Sequence, residues 1–174
     1  VKRVSARLAV AAAALLLTAS SVGMASASPT TATSETAAPP QECVAKYTPK
    51  EKVPGEPTEL VLTSYGCGDV TAAGKTAIKA WADADYKGDS VTLDLNDWNG
   101  TCDIDGYRWD TLPPGWDNRI SSFRAYDTCQ GVRLYEDTRT SGQCGSWEGD
   151  VTNVGVEMND KASSARAADR KKNC

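Results

Sequence analysis

The chain has 174 residues, a formal net charge of −4, six cysteines and no histidine. Without an imidazole there is no Ser-His-Asp triad, no Cys-His pair and no His-ligated zinc, so carboxylate pairs remain the main catalytic option. The acidic balance argues against nucleic acid as a partner, because phosphates are held by basic patches.

Residues 1–27 read as a secretory signal peptide. Lys2, Arg3 and Arg7 form a basic start, residues 8–17 are an apolar run too short to span a bilayer, and Ala25-Ser26-Ala27 is a small-residue cleavage site. Cleavage near Ala27 removes three positive charges and no negative ones, which takes the mature chain to −7. The expectation is a secreted, extracellular monomer with no membrane segment in the mature form. Residues 28–42, rich in Thr, Ala, Ser and Pro, hold too little apolar content to pack and read as a flexible leader.

The cysteines Cys43, Cys67, Cys102, Cys129, Cys144 and Cys174 all lie beyond the signal. An even count in an exported chain reads as a disulfide framework, whose pairing the sequence leaves open. A metal-thiolate site would want Cys-x-x-Cys spacing, which is missing here.

Residues 43–75 form a turn-rich N-terminal extension in which Leu60-Val61-Leu62 is the clearest strand. Cys43 and Cys67 tie it to itself or to the later domain. Downstream, Ile78 and Ala80 alternate with polar neighbours, and Val91, Leu93 and Leu95 alternate more cleanly with Thr92 and Asp94 facing out. Residues 96–114 read as a long loop with Asn-Gly, Asp-Gly and Pro-Pro signals, carrying Trp98, Cys102 and Trp109. The two tryptophans are either lids on the core or exposed contacts for a partner. Residues 132–137 and 151–156 supply further strands, and the tail 169–174 is polar and basic up to Cys174.

One hexamer occurs twice. Asp117-Asn118-Arg119-Ile120-Ser121-Ser122 is echoed 42 residues later by Asn159-Asp160-Lys161-Ala162-Ser163-Ser164. Upstream, Trp81 is followed after six residues by Gly88, and Tyr135 after six by Gly142. The aromatics lie 54 apart, so the first half carries 12 extra residues. Such an internal repeat of short strands and turns indicates an antiparallel β-sandwich of two similar halves.

The signature (Asn/Asp)-(Asn/Asp)-x-x-(Ser/Thr)-Ser behind an aromatic-x6-Gly hairpin resembles the βγ-crystallin Greek-key motif, present twice over residues 76–168. The resemblance implies an all-β, double Greek-key β-sandwich with a short disulfide-tied N-terminal extension, its halves at about 76–127 and 128–168. It further implies calcium held by oxygen ligands. The fifth-place hydroxyls are Ser121 and Ser163, and the second-place side chains are Asn118 and Asp160. Carbonyls of Arg119 and Lys161, and carbonyls near Ala82 and Glu136, complete the ligand set. Asp117, Asn159, Ser122 and Ser164 brace the turns. Asn118 is neutral where Asp160 is charged, so the two sites are expected to differ in strength. Ala82 departs from the acidic residue often found at its place.

Competing readings stay open. Asp, Asn and Ser favour turns with or without a metal, since their side chains bond local backbone. Asp83-x-Asp85-x-Lys87-Gly88 with Asp94 faintly imitates an EF-hand loop, although its flanks read as strands. Small secreted metalloproteinase inhibitors and toxin-like proteins share the crystallin-like scaffold, and the 96–114 insertion would be the inhibitory loop against a secreted protease. A carboxylate enzyme has no visible catalytic signature.

Overall fold

The computed structural model describes residues 38–70 and 74–174. The signal peptide and most of the leader lie outside the described residues. Among the described residues nine strands run β1 (Glu42–Pro49), β2 (Thr58–Cys67), β3 (Lys75–Asp83), β4 (Lys87–Leu95), β5 (Tyr107–Trp109), β6 (Ser122–Ala125), β7 (Gly131–Asp137), β8 (Ser141–Glu148) and β9 (Ser164–Ala168). A single 3-10 turn, Ala84–Tyr86, links β3 to β4.

The two halves repeat one construction. Each starts with an antiparallel hairpin, β3–β4 in the first and β7–β8 in the second. In both, the register slips just before the turn, at Trp81/Asp83 and at Tyr135/Asp137. The turns pass through the left-handed region at Asp85 and Tyr86 in one hairpin and at Arg139 and Thr140 in the other. The glycines beyond the aromatics are then required. Gly88 (φ 72°) and Gly142 (φ 76°) are left-handed, and a Cβ there would strike the carboxylates of Asp83 and Asp137.

The halves then exchange their third strands. β5, from the first half, pairs antiparallel with β9 of the second. Val151, from the second half, bridges Phe123 in β6 of the first. Each sheet is thus completed by a piece of the other half, which is a double Greek key. Inward-facing Ile78, Ala80, Val91, Leu93 and Leu95 from one side meet Trp109, Val132, Leu134, Ala165 and Ala167 from the other in one core. Aromatic edges join the layers, with Tyr47 against Trp109 and Phe123 against Trp147.

Several expectations need correction. Residues 43–75 hold two long strands, not a lone one at 60–62; β1 and β2 pair antiparallel over most of their length. The short apolar runs hid this because β1 packs Cys43, Ala45 and Tyr47 inward while most of β2 faces water. β1 adds parallel to β4 and β2 touches β5, giving the continuous order β6-β3-β4-β1-β2-β5-β9-β7-β8. The long loop 96–114 contains β5, the third strand itself, and both Trp98 and Trp109 are buried core residues. Residues 152–156 are not a strand, since Val151 alone bridges. The EF-hand imitation is the β3–β4 hairpin. Asp94 faces out of the sheet by alternation yet is fully buried, with Thr76 Oγ1 donating to it at 2.8 Å.

The bridges are Cys43–Cys67, Cys102–Cys129 and Cys144–Cys174. The first joins register partners of the N-terminal hairpin, so it ties that segment to itself. The second fastens the insertion to the link between β6 and β7, and the third pins the tail to β8. Loops of 24 to 30 residues are closed, and in the chain-entropy account each bridge of that span stabilises by about 3.5 kcal/mol. Replacing Cys102 and Cys129 together by serine is expected to lower the urea unfolding free energy by about 3 kcal/mol; an unchanged midpoint would contradict this.

Candidate functional site

The repeated hexamers face each other. Asn118 N donates to Ala162 O at 2.9 Å, and Asp160 N donates to Ile120 O at 3.3 Å. Each turn therefore supplies a donor from its second place and an acceptor from its fourth. Asn118 (φ 58°) and Asp160 (φ 55°) are both left-handed, a conformation that short polar side chains accept better than most. Behind them Ile120 and Ala162 are buried and anchor the turns in the core.

The serine pairs divide the work. Ser122 and Ser164 are fully buried. Ser122 Oγ donates to Asp83 O at 2.6 Å and accepts from Tyr86 N at 3.1 Å. Ser164 Oγ donates to Asp137 O at 2.5 Å and accepts from Thr140 N at 3.0 Å. Each hydroxyl thus holds its own half's folded hairpin shut. The preceding serines use their backbone, with Ser121 N donating to Trp81 O at 2.9 Å and Ser163 N to Tyr135 O at 2.8 Å. Asp83 and Asp137 lie two residues past the aromatics in both halves; sequence reasoning placed Asp83 only in the EF-hand imitation and gave neither residue this role, for which their shared offset was the available signal.

In the first half the candidate ligands converge. Ser121 Oγ donates to Ala82 O at 2.7 Å, and Asp160 Oδ1 stands 3.4 Å from the same hydroxyl. Hydroxyl, carbonyl and carboxylate oxygens, from two turns and one hairpin, meet at one point. Asp160 enters no ion pair among the described residues, and Asn159 Nδ2 donates to its second oxygen at 2.7 Å. The serine thus pairs with the acid of the opposite half.

The second half is arranged differently. The Asn118 side chain turns back on its neighbour, with Nδ2 3.4 Å from Asp117 Oδ2. Ser163 and Asp117 instead line a cavity of about 300 Å³ with Thr111, Pro113 and Thr138. No hydrogen bond joins the Asn118 side chain to Ser163 or Glu136 among those of the described residues. Arg119 lies over Trp116 at 5.1 Å and pairs with Asp89 at 2.9 Å, while Lys161 is held through its backbone to Met158 O. Among the described residues no group of three or more His, Cys, Asp or Glu is placed to share a metal.

Solved structures similar to part of the chain are found as well. Over about half its length the chain matches βγ-crystallin domains. For one from Clostridium beijerinckii the identity is 21%, with 53% of this chain and 98% of that chain covered and a TM-score of 0.41. For one from Flavobacterium johnsoniae the values are 26%, 52%, 92% and 0.36, and for a βγ-crystallin from an archaeon 14%, 54%, 99% and 0.39. The fold is βγ-crystallin-like. No protein-family model matches the chain, and no curated protein does.

The βγ-crystallin-like frame makes two measurable demands. Ser122→Ala and Ser164→Ala each lose two part-buried hydrogen bonds to the hairpin backbone, each bond worth about 0.5–1.5 kcal/mol, so each variant is expected to cost about 1–3 kcal/mol in denaturant unfolding. Equal losses are expected because the two bonding patterns match. The second demand concerns acid. Asp89 accepts from Gln41 N at 2.8 Å and from Arg119 at 2.9 Å, which hold its carboxyl below the usual aspartate range, the backbone bond contributing most. A depressed carboxyl stabilises the fold above the unfolded aspartate value, and that contribution is lost as pH falls through the folded one. Asp89→Asn should therefore flatten the fall in stability below about pH 4, read from melts between neutral and acid pH.

Proposed function

We propose that the protein is a secreted, non-catalytic, calcium-binding protein whose paired Asp/Asn-Ser turns act as cation clamps. The observation that carries this reading is the meeting of Ser121 Oγ, Ala82 O and Asp160 Oδ1, with the hydroxyl 2.7 Å from the carbonyl and 3.4 Å from the carboxylate. Hard cations take six to eight oxygens of such mixed type. The donor set fits: a carboxylate without an ion pair faces a hydroxyl and a carbonyl, and the Lys161 carbonyl comes directly after Asp160 in the turn. Water fills the remaining positions when the metal is bound. The second clamp, from Ser163, Asn118, Arg119 and Glu136, lacks a carboxylate at its second place and is the weaker of the two, with Asp117 lining the same cavity as Ser163.

Affinity tracks ligand charge. A site with one carboxylate belongs with the extracellular modules, whose dissociation constants are about 10⁻⁴–10⁻³ M. Three disulfides suit the oxidising compartment where calcium reaches such levels. The inhibitor reading, favoured by size, export and cysteine use, has the 96–114 segment as its loop: Trp98, Cys102, Trp109 and Leu112 are buried, while Asp97, Thr101, Asp103 and Ile104 are exposed.

Isothermal titration with calcium tests the proposal. Binding in the stated range is expected, weakened roughly tenfold or more by Asp160→Ala and strengthened by Asn118→Asp. Absence of binding heat at millimolar calcium, or full binding by the Asp160 variant, would remove it.

A further inference from the structure

The outer face of β5, β9 and β7 carries positive charge that the calcium reading does not use. Arg108, Arg166 and Arg133 stand directly opposite one another across β5, β9 and β7. Their strand neighbours Trp109, Ala165, Ala167, Val132 and Leu134 fill the core, so strand alternation puts the three arginines on the other side of the strands, where Arg108 and Arg166 are half-buried and Arg133 is buried. Neighbouring strands lie about 4.8 Å apart, and like charges directly opposite weaken a sheet unless something compensates them.

Compensation along the row is uneven. Arg108 has Glu59 at 3.1 Å and Asp110 at 3.5 Å. Arg166 donates from Nε at 3.1 Å and Nη2 at 2.5 Å, both to the uncharged backbone oxygen of Asp105. Arg133 donates from Nη1 to Asn173 O at 3.4 Å, and its Nη2 is buried with no partner among the described residues. Arg133 is only 8% exposed, so that nitrogen is cut off from water as well. Neither Arg133 nor Arg166 enters an ion pair among the described residues.

The C-terminal segment adds cations at the same place. The backbone of Arg170 lies against Gly131, Lys171 N donates to the Glu148 carboxylate, and Lys172 O accepts from Ser146 Oγ at 2.6 Å. Ser146 is the register partner of Arg133, so the segment crosses the end of the arginine row. Cys174, bridged to Cys144, holds it there. Asp169 is already paired with Arg170.

We propose that this face, between Arg166, Arg133 and the basic tail, binds a phosphate-class oxyanion. Guanidinium forks donate to such oxygens in pairs. A tetrahedral anion carries enough acceptors to serve forks on two neighbouring strands, whereas the two coplanar oxygens of a carboxylate are filled by one. The anion screens Arg133, whose Nη2 stays buried, from the half-buried Arg166. Burial, and then the charge of Arg133, push the Arg166 guanidinium down from its ordinary value, and an anion here relieves both. Free phosphate and a phosphate ester offer the same oxygens.

The test uses the full disulfide-bonded protein in calcium-free buffer, so its outcome is independent of the cation clamps. Melting is measured against inorganic phosphate, against glycerol 3-phosphate, and against sodium chloride at matched ionic strength. At ten times its dissociation constant, phosphate should raise the melting temperature by roughly 4 °C, and Arg166→Gln should lose more than half of that rise. A rise with both phosphates assigns the face to esterified phosphate as well, and a rise with the inorganic ion alone assigns it to the free ion. No rise with either, an equal rise with chloride, or an undiminished rise in Arg166→Gln would overturn the proposal. Should Arg166→Gln melt too low to compare, Lys172→Gln on the tail is read by the same criteria.

Discussion

Two backbone hydrogen bonds, Asn118 N to Ala162 O and Asp160 N to Ile120 O, set the geometry that the rest of the molecule depends on. Each contributes only about 1 kcal/mol net, yet together they fix the two hexamers face to face. Once the turns interlock, Ser122 and Ser164 are carried under their hairpins, and β6 and β9 are started in the right register. Exchange of the third strands comes next, since β5 must reach β9 and Val151 must reach Phe123. Neither half can complete a sheet without the other. The same constraint brings the Ser121 hydroxyl of one turn to the Asp160 carboxylate of the other.

The N-terminal hairpin and the disulfides act on that frame from outside. β1 and β2 fill the gap between β4 and β5, with Tyr47 contributing a buried ring against Trp109. Burial pushes the Tyr47 hydroxyl well above the ordinary tyrosine range, and its oxygen has no hydrogen-bond partner among the described residues, so the ring is held by packing. Charge is segregated in a similar way. An acidic chain gathers an arginine row and a basic tail on one sheet face, while the candidate cation clamp sits at the turns.

Much of the fold was legible because the repeat is local. The aromatic-x6-Gly spacing and the Ser-Ser hexamers each encode a turn whose backbone demands those residue types, so the sequence carries them in plain order. The strand exchange was not legible, since β5 is three residues long and hides among Gly and Pro. β1 and β2 were missed for a related reason: a strand that bridges two sheets shows neither clean alternation nor an unbroken apolar run. At the site, the donor types were readable while their partners were not. Nothing in the order of residues says that Ser121 meets Asp160, or that Asn118 turns toward Asp117.

The central claim is that the interlocked turns build a cation site from both halves. Anomalous diffraction from crystals grown with calcium tests it most directly. The account predicts a peak about 2.3–2.6 Å from Ser121 Oγ, Ala82 O and Asp160 Oδ1 together. A peak confined to surface carboxylates such as Asp103 or Asp105, with none between Ser121 and Asp160, would contradict it.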